Sequence, residues 1–98
     1  MDKAEKLAVL KQDLQMLTTA NDEYLGTLLD LSAGAIQREG IQLIEDDHEC
    51  DMAVVQYAAY LFRKRAAADT TMPRSLRWQL NNLLFSQKAQ EGAETSDI

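Results

Sequence analysis

Apolar residues return every three or four positions through three stretches of this 98-residue chain, and a further stretch is apolar on nearly every side. Leu7, Leu10, Leu14 and Leu17 lie on one face of a helix running from about Lys3 to Leu17, with Glu5, Lys6, Lys11, Gln12 and Asp13 on the others. Thr18-Thr19-Ala20-Asn21 breaks that period with cap-type residues. Asn21 is placed to cap a second helix whose first turn, Asp22 and Glu23, suits the positive end of the macrodipole. Leu25, Leu28, Leu29, Ser32, Ala35 and Ile36 form the inner face of this helix. Gly40 stands where a left-handed residue would end it. Gly26 and Gly34 inside it signal either mild helix weakness or close approach of a neighbouring backbone.

Ile41-Gln42-Leu43-Ile44 reads as a short extended connector that turns Ile41 and Leu43 to the core. No second strand exists to pair with it. Glu45-Asp46-Asp47-His48-Glu49 is an acidic turn in which Asp46 and Glu49 fit a capping box. The third helix is expected from about Asp47 to Ala67. Between Met52 and Phe62 only Gln56 is polar, so this helix should be the central element, with part of its flank covered by another subunit. Arg63-Lys64-Arg65 closes it with cations suited to a helix C-terminus. After a loop from Ala66 to Thr71, Pro73 marks the first turn of a fourth helix, and Leu76, Leu80, Leu83 and Leu84 give it one apolar stripe. The expected fold is therefore all-α: a small bundle of about four helices over residues 1–90, with an extended connector between the second and third. A flexible acidic tail over residues 91–98 completes it.

The chain has room for one domain. Ten Lys and Arg stand against sixteen Asp and Glu, a net charge of −6. That balance argues against a dedicated nucleic-acid binder, whose footprint is normally basic. It is compatible with a wall past which DNA slides. Met1 to Lys6 carries both signs of charge and does not read as a signal peptide. No apolar run reaches membrane-span length, so a soluble protein made in the cytoplasm is expected, with no membrane partner.

Chemistry is sparse. His48, the one histidine, sits among Asp46, Asp47, Glu49 and Asp51; a solvated helix start explains it better than a metal site, because no ligand spacing recurs. Cys50 is alone, which rules out an intrachain disulfide and suits a small buried hydrophobe. With no nucleophile–base spacing and no phosphate-cradling loop, the reading is non-enzymatic, without metal or cofactor. What does stand out is the stretch from Met72 to Asn82, with two arginines, the one tryptophan and two asparagines mostly off the leucine stripe. Trp and Arg are the residue types that carry contact energy. Arg63, Lys64, Arg65, Arg74 and Arg77 are read either as a basic patch or, for the first three, as solvated cations at a helix end. The expected contact residues are Arg63, Lys64, Arg65, Arg74, Arg77, Trp78, Asn81 and Asn82; Tyr57 and Tyr60 are read as core. Basic and acidic faces on one subunit suit head-to-tail packing in a ring. The alternative is a helix-turn-helix DNA-binding module with Arg74 and Arg77 opening its recognition helix.

The order of motifs resembles a family. Leu7-x-x-Leu10-Lys11-x-Asp13-Leu14, Asn21-Asp22-Glu23-Tyr24-Leu25-x-x-Leu28-Leu29 and Ile36-x-x-Glu39-Gly40-Ile41 are followed by Tyr57-Ala58-Ala59-Tyr60-Leu61-Phe62-Arg63-Lys64-Arg65. Met72-Pro73-Arg74-x-Leu76-Arg77-x-x-Leu80-Asn81-Asn82 comes last. Together, from about Glu5 to Ala89, they resemble the head–tail connector (adaptor) proteins of long-tailed bacteriophages. The resemblance implies a small all-α virion protein of the neck, made in the host bacterium, that forms a homo-oligomeric ring, a dodecamer in the particle. Such a ring docks on the portal protein and meets head-closure or tail-completion proteins. DNA passes through its lumen without sequence-specific binding, and it performs no chemistry. The acidic tail from Glu91 onward departs from the family's motifs.

Overall fold

The structure is a computed structural model that describes the backbone of residues 1–96 and the side chains of residues 1–90. It is all-α: α1 is Lys3–Asp13, α2 Asp22–Arg38, α3 His48–Ala66 and α4 Arg74–Ser96, with no strand among the described residues. The acidic tail expected from Glu91 thus continues the backbone of α4 as far as Ser96. Its side chains, residues 97 and 98, and with them the expected flexibility, lie outside the described residues.

Local chemistry sets the helix ends. Asp2 caps α1, its Oδ1 accepting from the Glu5 N–H at 2.8 Å. The helix stops at Asp13, four residues short of the Leu17 expected from the leucine spacing. Gln15 turns left-handed (φ 58°). The Gln15 N–H then bonds Gln12 O at 3.1 Å and the Met16 N–H bonds Lys11 O at 2.9 Å. This is a Schellman stop built without glycine, and it throws Leu17 into solvent, 97% exposed. Asn21 opens α2 as expected, but only its carbonyl serves the helix, accepting from the Leu25 N–H at 2.8 Å; its side chain makes no cap bond. Gly40 ends α2 at φ 94°, the left-handed geometry read from the sequence. Neither Gly26 nor Gly34 meets a neighbouring backbone within the chain: a Cβ at Gly26 would touch only the end of Lys3, and one at Gly34 only Arg38. The cap of α3 is Asp47, whose Oδ1 accepts from the Cys50 N–H at 3.0 Å. Asp46 instead takes a left-handed turn conformation (φ 61°), so the expected Asp46–Glu49 box does not form. Pro73 lies one residue before α4, its carbonyl accepting from the Arg77 N–H at 3.1 Å.

The core gathers around α3, which packs against α1, α2 and α4. Ala53, Val54, Val55, Ala58 and Ala59 are buried along it, and their short side chains let three neighbours approach. Leu10 comes from α1, Leu25, Leu28, Leu29 and Ile36 from α2, and Leu76, Leu80 and Leu83 from α4. The connector lays Ile41 into this core, with Leu43 packed against it. The side-chain amide of Gln87 clamps the connector, accepting from the Gln42 N–H at 2.8 Å and donating to Gln42 O at 2.7 Å. On the flank of α3 expected to meet another subunit, Tyr57, Tyr60, Leu61 and Phe62 are already half-buried by this chain. The large exposed apolar residues, Leu17, Leu31, Ile44, Trp78 and Phe85, all lie elsewhere. Tyr57 and Tyr60 are core-packed as expected and meet edge to face at 5.9 Å.

Ion pairs fix the periphery. Lys3 reaches Asp30 and Lys11 reaches Asp22, both at 2.8 Å, so α1 is tied twice to α2. The Met1 amine donates to Asp51 Oδ2 at 2.8 Å, and that hydrogen bond holds the amine above its ordinary value of 8.0.

Two predictions follow from these termini. Gln15→Gly should raise the unfolding free energy by about 0.5–1 kcal/mol, whereas Gly40→Ala should lower it by about 1–2 kcal/mol, because only glycine takes a positive φ without strain; urea unfolding of both variants checks this. Because the fold favours the charged amine, its contribution is complete below about pH 8 and lost as pH rises through the raised value. Thermal midpoints should fall on the alkaline side in the native chain and fall less in Asp51→Asn.

Candidate functional site

The outward face of α4 carries the most contact-prone group of side chains. With Leu76, Leu80 and Leu83 turned inward, the 3.6-residue period puts Trp78 and Phe85 on the opposite side, two turns apart. Trp78 is 70% exposed and Phe85 is 64% exposed. Arg74 and Asn81 flank them on one side, Ser75 and Asn82 on the other, and all four are exposed. Nothing in the fold requires two large aromatic rings in water, and aromatic residues in this setting are typical of contact surfaces.

Beside this ridge runs a groove between α3 and α4. Its upper part, about 500 Å³, is lined by Glu49, Gln56, Ser75, Trp78, Asn82 and Ser86. A smaller continuation, about 150 Å³, passes Gln56 and Ser75 to reach Arg63 and Pro73. Gln79 Nε2 donates to Glu49 O at 3.3 Å near one end, and Arg63 and Pro73 both border the other. The lining is mainly hydroxyl and amide, with no cluster of titratable groups. Among the described residues no three His, Cys, Asp or Glu side chains gather as a metal site. His48 is an exposed residue at the start of α3. Cys50 is buried, and desolvation pushes its thiol up from the usual range, which leaves it an unreactive hydrophobe.

The eight residues singled out from the sequence divide into two groups. Trp78, Asn82, Asn81 and Arg74 share the outward side of α4. The remaining four cations are engaged within the chain. Arg63 Nη2 pairs with Asp13 at 3.1 Å, joining the ends of α3 and α1. Lys64 donates to the Tyr60 hydroxyl at 3.3 Å, and the Arg65 guanidinium lies 4.6 Å from the centre of the Tyr24 ring. Arg77 forks onto both carboxylate oxygens of Glu39 and so ties α4 to the end of α2. Arg63, Lys64 and Arg65 remain exposed along their stems, but their heads have partners. Phe85 is the functional candidate that sequence reading passed over. Its signal was present: it stands seven residues after Trp78, outside the leucine stripe.

Charge is unevenly distributed. Residues 1–62 hold twelve acids and four Lys or Arg, whereas residues 63–90 hold one acid and six. The net charge of −6 therefore conceals a basic segment, residues 63–90, that includes the aromatic ridge. Compared with known proteins, the chain matches no family model, no curated protein and no solved structure.

The division of the cations predicts different outcomes for two arginines of one helix. Arg77→Ala should cost about 1–2 kcal/mol, because a partly buried fork is lost and Glu39 is left without its partner. Arg74→Ala and Trp78→Ala should each stay within about 0.5–1 kcal/mol of the native chain, as exposed sites do. Denaturant unfolding with helical content followed by circular dichroism measures both.

Proposed function

We propose that this chain is a structural component of the neck of a long-tailed bacteriophage: a ring-forming head–tail adaptor that docks on the portal and joins it to head-closure and tail-completion proteins. DNA would pass through the lumen of the ring without sequence-specific contacts, and the protein would act without catalysis, metal or cofactor. The observation that carries this reading is the aromatic ridge Trp78–Phe85, exposed on the basic segment of an otherwise acidic, all-α chain. Such a surface is suited to protein contact and unsuited to holding a small molecule. The resemblance of motif order supports it, and those motifs fall on structural landmarks: Asn21-Asp22 opens α2, Gly40 ends it, Tyr57 to Arg65 completes the central helix and Pro73 precedes α4.

The helix-turn-helix alternative has less support. Its two helices are joined by a turn of three or four residues, whereas α3 and α4 here are joined by the longer loop 67–73. Arg77, which would read bases in that arrangement, is bound to Glu39.

The test is to mix the purified chain with the portal protein encoded in the same genome and measure mass by sedimentation. A complex carrying many copies of the chain is expected, and cryo-microscopy of the particle should place the chain beneath the portal. A chain that neither binds the portal nor is found in virions would refute the proposal. Gel shifts at low salt test the alternative, since phosphate-driven binding would appear there and fall steeply as salt rises.

A further inference from the structure

On the side of the molecule away from the aromatic ridge lies a socket of complementary character. It measures about 230 Å³ and opens between the start of α1, the connector and the start of α3. Leu43, Ile44, Cys50 and Val54 give it an apolar floor, and Glu45 and Asp46 stand on its rim. Ile44 is about half exposed there, on a connector whose other apolar residues, Ile41 and Leu43, are buried and partly buried. The rim belongs to the acidic run from Glu45 to Asp51, and both rim acids are solvent-exposed. Met1, Asp2, Lys3, Lys6 and Asp51 also border the socket. The Lys3 ammonium is held by Asp30 and the Met1 amine by Asp51 at 2.8 Å, with Asp46 at 3.8 Å. Glu45 is therefore the rim acid without an ion-pair partner among the described residues, and Asp46 shares the Met1 charge.

The helical period fixes the relation of the two features. Cys50 and Val54 face the socket from one side of α3, whereas Glu49, Gln56 and Arg63 face the α4 groove from roughly the opposite side. Ridge and socket therefore cannot meet within one chain. Two copies related by a two-fold axis through the ridge would bring basic side to basic side. Copies placed head to tail bring the ridge, with Arg74 and Lys88 and no acid between Arg74 and Gln90, against the acidic socket. A heterologous contact of this kind closes into a ring when the rotation allows it.

We infer that the outward face of α4 docks on a second copy of this chain, with Trp78 entering the Ile44–Val54 socket of its neighbour and Arg74 meeting Glu45 and Asp46 on the rim. The inference deepens the ring reading above and rests on it. Phe85 covers the flank of the contact. One helix face is a small interface, at the weak end of specific contacts, so pairs of free chains associate at micromolar to millimolar concentration, and ring closure multiplies the contact.

Trp78 is the one tryptophan, so its fluorescence reports its own burial. The experiment follows emission and sedimentation of the full chain over a concentration series, for the native protein, Trp78→Ala, Ile44→Lys, and a mixture of the two variants. Expected results are a shift to shorter emission wavelength as native chains associate and at least about 30-fold weaker association of each variant alone. The mixture should form one-to-one pairs that grow no further, because each variant retains one sound surface. Circular dichroism confirms that both variants fold; should Ile44→Lys fail to, Glu45→Lys with Asp46→Lys takes its place.

Loss of association in one variant alone would mean that like faces pair, and loss in both without rescue in the mixture would mean that the two surfaces do not meet; either result would overturn the inference. Native-strength association in both variants would place the contact elsewhere and also overturn it. A native chain that stays monomeric to millimolar concentration refutes it as well. None of these outcomes removes the adaptor reading, which stands or falls on portal binding and presence in the particle.

Discussion

Burial of α3 is the constraint on which the other features depend. Its inner positions are small, Ala53, Val54, Val55, Ala58 and Ala59, and each adds little apolar area alone. They serve by letting α1, α2 and α4 come close enough for the larger leucines of those helices to meet over them. Leu10, Leu25, Ile36, Leu76 and Leu80 are fully enclosed as a result. The arrangement surrounds one rod with three partners, and each partner needs only a single apolar stripe. That is why α4 can bury three leucines and still present most of its circumference to solvent.

The charged residues follow from the same arrangement. Several ion pairs join the helices at or near their ends: Arg63 with Asp13, Arg77 with Glu39, Lys11 with Asp22. Exposed pairs contribute modestly, so they orient elements whose stability comes from the leucines. Once these cations are engaged internally, Arg74 and Lys88 are left on the outer side of α4 beside the two aromatic rings.

The groove beside Trp78 offers amides and hydroxyls, the lone thiol is desolvated, and the histidine stands at an open helix start. The core draws on the inward leucines of α4, whereas the exposed aromatic rings stand on its outward side, so the two sets of residues can vary separately.

The apolar period determined the number and order of the helices. Gly40 and Pro73 determined two of the boundaries, since backbone freedom and a missing N–H act locally and can be read from one residue. The connector was legible for the same reason, Ile41 and Leu43 alternating toward the core. The end of α1 was not, because Leu14 and Leu17 continue the spacing and only the left-handed Gln15, stabilised by its own hydrogen bonds, stops the helix. The exposure of Trp78 followed from its place off the leucine stripe. Which arginines were free did not, because Asp13 and Glu39 lie far along the chain from Arg63 and Arg77. Nor did the sequence reveal that α3 is covered by its own chain: an apolar helix reads alike whether the neighbours that bury it are intramolecular or not. Periodicity is a property of one helix and is written in the sequence, whereas pairing between distant charges and the sharing of a buried face exist only once the helices have packed.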